Sequence, residues 1–102
     1  MELTRILDTL KDADGNPAVG KLVIQNPAFI ASDGTAVVGG RITYLISTTS
    51  PGLVDLLLAP TEGADPSGVV YRVEYFLKNG AAYTELWQVP HTTPVSISQV
   101  RS

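Results

Sequence analysis

Turn-forming residues interrupt this chain at short intervals, and that punctuation limits its fold more than any other feature. Clusters occur at Asp14-Gly15-Asn16-Pro17, Asn26-Pro27, Asp33-Gly34, Gly39-Gly40, Ser50-Pro51-Gly52, Gly63 to Gly68, Asn79-Gly80 and Pro90 to Pro94. Glycine reaches positive φ, proline fixes φ, and Asn or Asp bonds its own backbone, so each cluster favours a turn. The segments between them run about five to eight residues and are rich in Val, Ile, Leu, Thr and Tyr, which is strand length and strand composition. The expected fold is all-β: a single domain over residues 1–102, an antiparallel β-sandwich of about seven to eight strands in the immunoglobulin or transthyretin style.

Individual strands follow from alternation. Arg41 to Ser47 places Ile42, Tyr44 and Ile46 on one side, and Gly52 to Ala59 places Val54, Leu56 and Leu58 together with Asp55 opposite. Both read as half-buried strands. Lys21 to Gln25 is a shorter strand with Leu22 and Ile24 on a common face, and Val95 to Val100 is expected to close the fold as a final strand. Leu3, Ile6, Leu7 and Leu10 fit a helical template, while Ile6 and Leu10 with Asp8 between them fit a strand. Strand is preferred, because a short helix would need a docking groove that short strands do not provide.

The hairpin around Asn79-Gly80 gives the clearest face assignment. A three-residue loop Lys78-Asn79-Gly80 sets Tyr75 opposite Tyr83 and Tyr71 opposite Trp87. One face then carries Tyr71, Val73, Tyr75, Leu77, Tyr83, Trp87 and Val89, and the other Arg72, Glu74, Lys78, Thr84 and Gln88. The rings are expected in the core, since the opposite face holds the charges. Three residues break the pattern: Glu85 falls on the apolar face, and Phe76 and Leu86 fall on the polar one. Arg72, Glu74, Phe76 and Leu86, with His91 from the following loop, form the candidate interaction surface.

Composition narrows function. With 44% apolar and 17% charged residues and no cysteine, the chain is not a disordered acidic tail, a coiled coil or a disulfide-stapled miniprotein. A net charge of -3 offers no basic stripe, so no nucleic-acid partner is expected. No apolar run is long enough to span a bilayer, and the opening Met1-Glu2-Leu3-Thr4-Arg5 lacks the pattern of a secretion signal, so neither membrane insertion nor a leader is expected.

The chemical motifs are incomplete. Gly15 to Lys21 has the spacing of a phosphate loop, but Leu22 stands where a hydroxyl is needed and Lys21 to Gln25 reads as a strand. Asp12, Asp14 and Asn16 resemble the opening of a calcium loop, yet Pro17 replaces its glycine and Val23 its bidentate glutamate. His91 is the sole histidine and lies in a Pro-bounded loop, with no nucleophile elbow in the chain. Asp55, Glu74 and Glu85 could supply a carboxylate pair, but the strand pattern places no two across a cleft. No catalytic residue, metal or cofactor is therefore expected. The repeated Asp-Gly and Val-Gly spacing of Asp14 to Gly20 and Asp33 to Gly39 reads as reuse of one turn chemistry.

The order of pieces adds a resemblance. Asp12 to Lys21 followed by Ser32-Asp33-Gly34-Thr35 is similar to the small β-sandwich modules that begin phage tail-fibre and minor tail proteins. So are Gly52 to Pro60, Asp65-Pro66-Ser67-Gly68 leading into Tyr71, Tyr83 to Pro90 with its Trp and Val-Pro ending, and Pro94 to Val100. Transthyretin-like and carboxypeptidase-regulatory-like sandwiches share the opening. The resemblance implies a non-catalytic virion structural protein of the tail-fibre or baseplate apparatus, assembled in the host cytoplasm and contacting other virion proteins. It also implies a homo-oligomer, with a trimer as one arrangement. A capsid decoration protein is the alternative within that class, and a carbohydrate-binding sandwich is the alternative outside it.

Overall fold

The turn clusters do separate short strands. The computed structural model describes residues 2–78 and 82–101. The strands are β1 (Thr4–Thr9), β2 (Gly20–Asn26), β3 (Phe29–Ile30), β4 (Ala36–Val37), β5 (Gly40–Ile46), β6 (Leu53–Leu58), β7 (Tyr71–Leu77) and β8 (Tyr83–Trp87), followed by a single helical turn α1 (Ile97–Val100). All ladders between them are antiparallel: a four-stranded sheet in the order β5-β2-β7-β8, a two-stranded sheet β1-β6, and a small ribbon β3-β4. The N-terminal segment is a strand, as its alternation suggested.

One apolar core joins the two larger sheets. Ile6, Val54 and Leu58 from β1-β6 pack with Leu22, Ile24, Tyr71, Val73, Tyr75 and Trp87 from the four-stranded sheet, giving a sandwich-like arrangement. A second cluster of Phe29, Ala59, Ala64 and Val69 lies under the β3-β4 ribbon, and the Phe29 ring meets Tyr71 edge-on at 6.4 Å. Burying the rings inside and leaving Arg72 outside is what the alternation in β7 requires. At the start of β2, Gly20 has φ +150 and a Cβ there would lie 2.2 Å from the carbonyl oxygen of Phe76, so the close approach of β2 to β7 admits only glycine.

The pairing of β7 with β8 sets Tyr75 opposite Tyr83 and Tyr71 opposite Trp87, the register expected from sequence. The loop at Asn79-Gly80 from which it was argued lies outside the described residues. Tyr83 departs from the expectation. It is 44% exposed, and its ring stacks on Tyr75 at 4.3 Å. Ile42 also departs, at 48% exposed, because β5 is an edge strand with a neighbour on one side only.

The expected closing strand is corrected. Only Val95 pairs as extended chain, alongside Ile6 in a parallel bridge, and Ile97–Val100 turns helical. Three-residue spacing turns both Ile97 and Val100 into the core, whereas alternation would send them to opposite faces. The turn's entry is held by polar side chains. The Ile97 amide donates to Asp8 Oδ2 at 2.9 Å, and Gln99 Oε1 accepts from the Ser96 amide at 2.8 Å.

Candidate functional site

The outer face of the four-stranded sheet is built by the side chains that alternate away from the core. Cross-strand register arranges them in rows. Leu45, Lys21 and Phe76 form one, Thr43, Val23, Glu74 and Thr84 the next, and Arg41, Gln25, Arg72 and Leu86 the third. Four of the five predicted surface residues, Arg72, Glu74, Phe76 and Leu86, therefore share one face, with Arg72 directly opposite Leu86. The residues that broke the hairpin pattern now make sense: Phe76 and Leu86 are 40% and 46% exposed, and Leu45 on the same face is 70% exposed.

Charged groups stand among these apolar ones. Lys21 Nζ stands 5.5 Å from the centre of the Phe76 ring, a cation–π arrangement. The Gln25 carboxamide, turned so that both its ends are satisfied, accepts from Arg41 Nη2 at 2.8 Å. Arg41 and Arg72 line an open depression beside Gln25. Lys21, Arg41 and Leu45 were missed as members of this face. The alternation of Arg41, Thr43 and Leu45 against Ile42, Tyr44 and Ile46 was the signal that could have found them.

His91 is not part of that face. It sits in the loop after Val89, where its Nε2 lies 3.1 Å from both Ser32 Oγ and the Glu62 carbonyl oxygen. A carbonyl only accepts, so Nε2 carries the proton and cannot take one from Ser32. The His91 amide also donates to Glu62 Oε1 at 3.1 Å, and the arrangement fastens loops rather than activating a hydroxyl.

The other chemical candidates are likewise absorbed by structure. Lys21 lies in strand β2, so the segment with phosphate-loop spacing feeds a strand and not a helix. Asp12 Oδ1 accepts from the amides of Asp14 and Asn16, closing a turn on itself. Asp55 is held by Arg5 Nε and Nη2, each at 2.7 Å, which lowers the carboxyl pKa through that hydrogen bond, against a smaller desolvation. Glu85 points inward and takes the Tyr75 hydroxyl at 2.5 Å, Trp87 Nε1 at 3.2 Å and Arg101 Nε at 2.6 Å. Glu74 stands on the outer face, so the three carboxylates are dispersed. Among the described residues, no group of three or more His, Cys, Asp or Glu is placed to hold a metal ion, and no helix is long and apolar enough to cross a membrane.

Compared with protein-family models, curated proteins and solved structures, the chain matches none. What the surface does must then be argued from its own geometry. Tyr71, Tyr75 and Trp87 are buried and offer no stacking face, whereas Phe76, Leu86 and Leu45 present apolar area among hydrogen-bonding and charged groups.

Proposed function

We propose that this protein is a non-catalytic structural module of a bacteriophage virion, belonging to the tail-fibre or baseplate apparatus, which attaches to neighbouring protein subunits through the outer face of its four-stranded sheet. The observation that carries the reading is that one sheet face exposes Leu45, Phe76 and Leu86, interspersed with Lys21, Arg41, Arg72 and Glu74. Exposed apolar side chains interspersed with charged and hydrogen-bonding ones suit a protein interface. The order of turns and strands that resembles tail-fibre modules supports the virion setting, and the two sheets sharing one core support an immunoglobulin- or transthyretin-like sandwich. Repetition by particle symmetry turns individually weak contacts of this kind into firm attachment.

The test is to locate the chain in the density of intact particles and to compare incorporation of the wild type with that of Phe76→Asp and Leu86→Asp, each checked for folding by circular dichroism. Tail or baseplate density, lost in the folded variants, is the expected result. Absence from particles, or incorporation indifferent to both substitutions, overturns the reading. Density on the head would move the assignment to capsid decoration. Glycan binding by a protein that never enters particles would favour the carbohydrate-binding class.

A further inference from the structure

Several strand edges in this fold meet other groups, while the long outer edge of β5 meets none among the described residues. The free side of β1 is taken by Val95, which accepts from the Leu7 amide and donates to the Arg5 carbonyl, each at 2.9 Å. The free side of β6 meets the Tyr44 hydroxyl, which donates to the Leu53 carbonyl at 3.1 Å and accepts from the Asp55 amide at 3.2 Å. Beyond β8, the Gln88 amide donates to the Val100 carbonyl at 2.8 Å, and β3 exchanges both hydrogen bonds with Asp65 through Ile30. The outer edge of β5 has no such cover. It runs through Gly40–Ile46 without a proline, with Arg41 its one charge. Long edges of that kind are templates for another strand, and monomeric proteins ordinarily blunt them.

Which backbone groups β5 presents follows from the ladder. The Lys78 amide donates to the Val19 carbonyl at 2.7 Å, so odd-numbered residues of the β2 segment point toward β7 and even-numbered ones toward β5. In the register that pairs Leu22 with Tyr44 and Ile24 with Ile42, the N–H and C=O groups of Arg41, Thr43 and Leu45 therefore face away from the sheet.

We propose that the β5 edge pairs antiparallel with β5 of a second copy, about a two-fold axis at Thr43, making one continuous sheet twice as wide. The occupant is a second copy because the strand is complementary to itself in this register. Thr43 exchanges both hydrogen bonds with its own counterpart, and Arg41 exchanges both with Leu45. The same pairing sets Ile42 against Tyr44 on the inner side and lays the aliphatic stem of Arg41 along Leu45 on the outer side. No like charges oppose one another, which is the condition for an isologous strand pair. The pairing follows from the edge alone and holds whether or not the virion reading does.

Sedimentation of the wild type from micromolar to millimolar concentration tests this, together with two variants. Thr43→Pro removes an outward amide without touching the ladder to β2, a position where an edge strand tolerates proline. Thr43→Cys introduces the only thiol in the chain, and facing residues of a hydrogen-bonded antiparallel pair stand about 5.5 Å apart at Cα, within reach of a disulfide. The expected results are a concentration-dependent dimer, at least tenfold weaker dimerisation in Thr43→Pro with unchanged circular dichroism, and cross-linked dimer from Thr43→Cys under mild oxidation. A wild type that stays monomeric, a dimer that survives Thr43→Pro, or a Thr43→Cys protein that does not cross-link overturns the proposal. Should Thr43→Pro fail to fold, cross-linking alone decides.

Discussion

The Tyr75 hydroxyl donates to Glu85 Oε1 at 2.5 Å, which explains why a carboxylate occupies the apolar side of the hairpin. The same oxygen accepts from Trp87 Nε1 at 3.2 Å, and Oε2 meets Arg101. One acidic side chain thus satisfies the polar tips of two core rings and ties the segment after α1 to the sheet.

Removing that acceptor strands both ring donors. Glu85→Ala is expected to lower stability by about 2–4 kcal/mol, since an unsatisfied buried donor costs about 1–3 kcal/mol. Glu85→Gln keeps an oxygen for the rings and should cost about half as much. Urea denaturation of the two variants, read as a shift of midpoint at unchanged slope, checks the order.

The single tryptophan reports on the core directly. Trp87 is fully buried, so its fluorescence should be blue-shifted in the folded protein and resist quenching by acrylamide until the chain unfolds. Truncation to alanine should cost about 3–5 kcal/mol in a thermal or urea melt.

Two glycines with positive φ should behave differently. Gly34→Ala meets no atom within 4 Å and carries only the backbone cost of the left-handed region, about 1–2 kcal/mol. Gly20→Ala drives a methyl group into the Phe76 carbonyl and must displace β7, so a loss exceeding that of Gly34→Ala by about 1–3 kcal/mol is expected. Paired melts of the two variants decide it.

The helical turn at Ile97–Val100 depends on a side chain from β1. Asp8→Ala leaves the Ile97 amide without its acceptor and should destabilise by about 1 kcal/mol, the usual loss on removing an N-terminal cap. Faster amide exchange of Ile97 in that variant, with β2 and β7 unaffected at first, would locate the loss.

Alkaline pH should unfold the protein through its tyrosines. Burial pushes the Tyr71 hydroxyl up to about 12, and burial followed by the Glu85 hydrogen bond raises Tyr75 further. The unfolded chain releases these protons near the ordinary value of 10.0. Stability is then complete below pH 10 and declines as pH rises from there toward the folded value. Tyrosinate absorbance should rise together with loss of the sheet signal in circular dichroism. Ionisation of all four tyrosines with the fold intact would contradict the burial of Tyr71 and Tyr75.

Alternation made much of the architecture legible. The sides of β6 and β7, the pairing of Tyr75 with Tyr83 and the inward placement of Leu22 and Ile24 all follow from residues that are apolar at every second position. The C-terminal segment misled because Val95, Ile97 and Val100 satisfy period two at one end and period three at the other, and the deciding acceptor, Asp8, lies in β1. Ile42 misled because alternation tells which side a residue faces but not whether its strand has a neighbour. The surface was legible as a set of exceptions: Phe76 and Leu86 stood on the wrong side, and they are where the sheet exposes apolar area. His91 was grouped with them through loop proximity in the chain, whereas its contacts to Ser32 and Glu62 come from segments that only the folded backbone brings near.

The first strand finds its backbone partners in β6 and at Val95, both made much later in synthesis. Until those segments have been made, Ile6 has no layer to enter, and the nascent segment must be kept from sticking elsewhere. Closure of the core therefore waits on the far end of this domain, at the slow pace that non-local topologies impose.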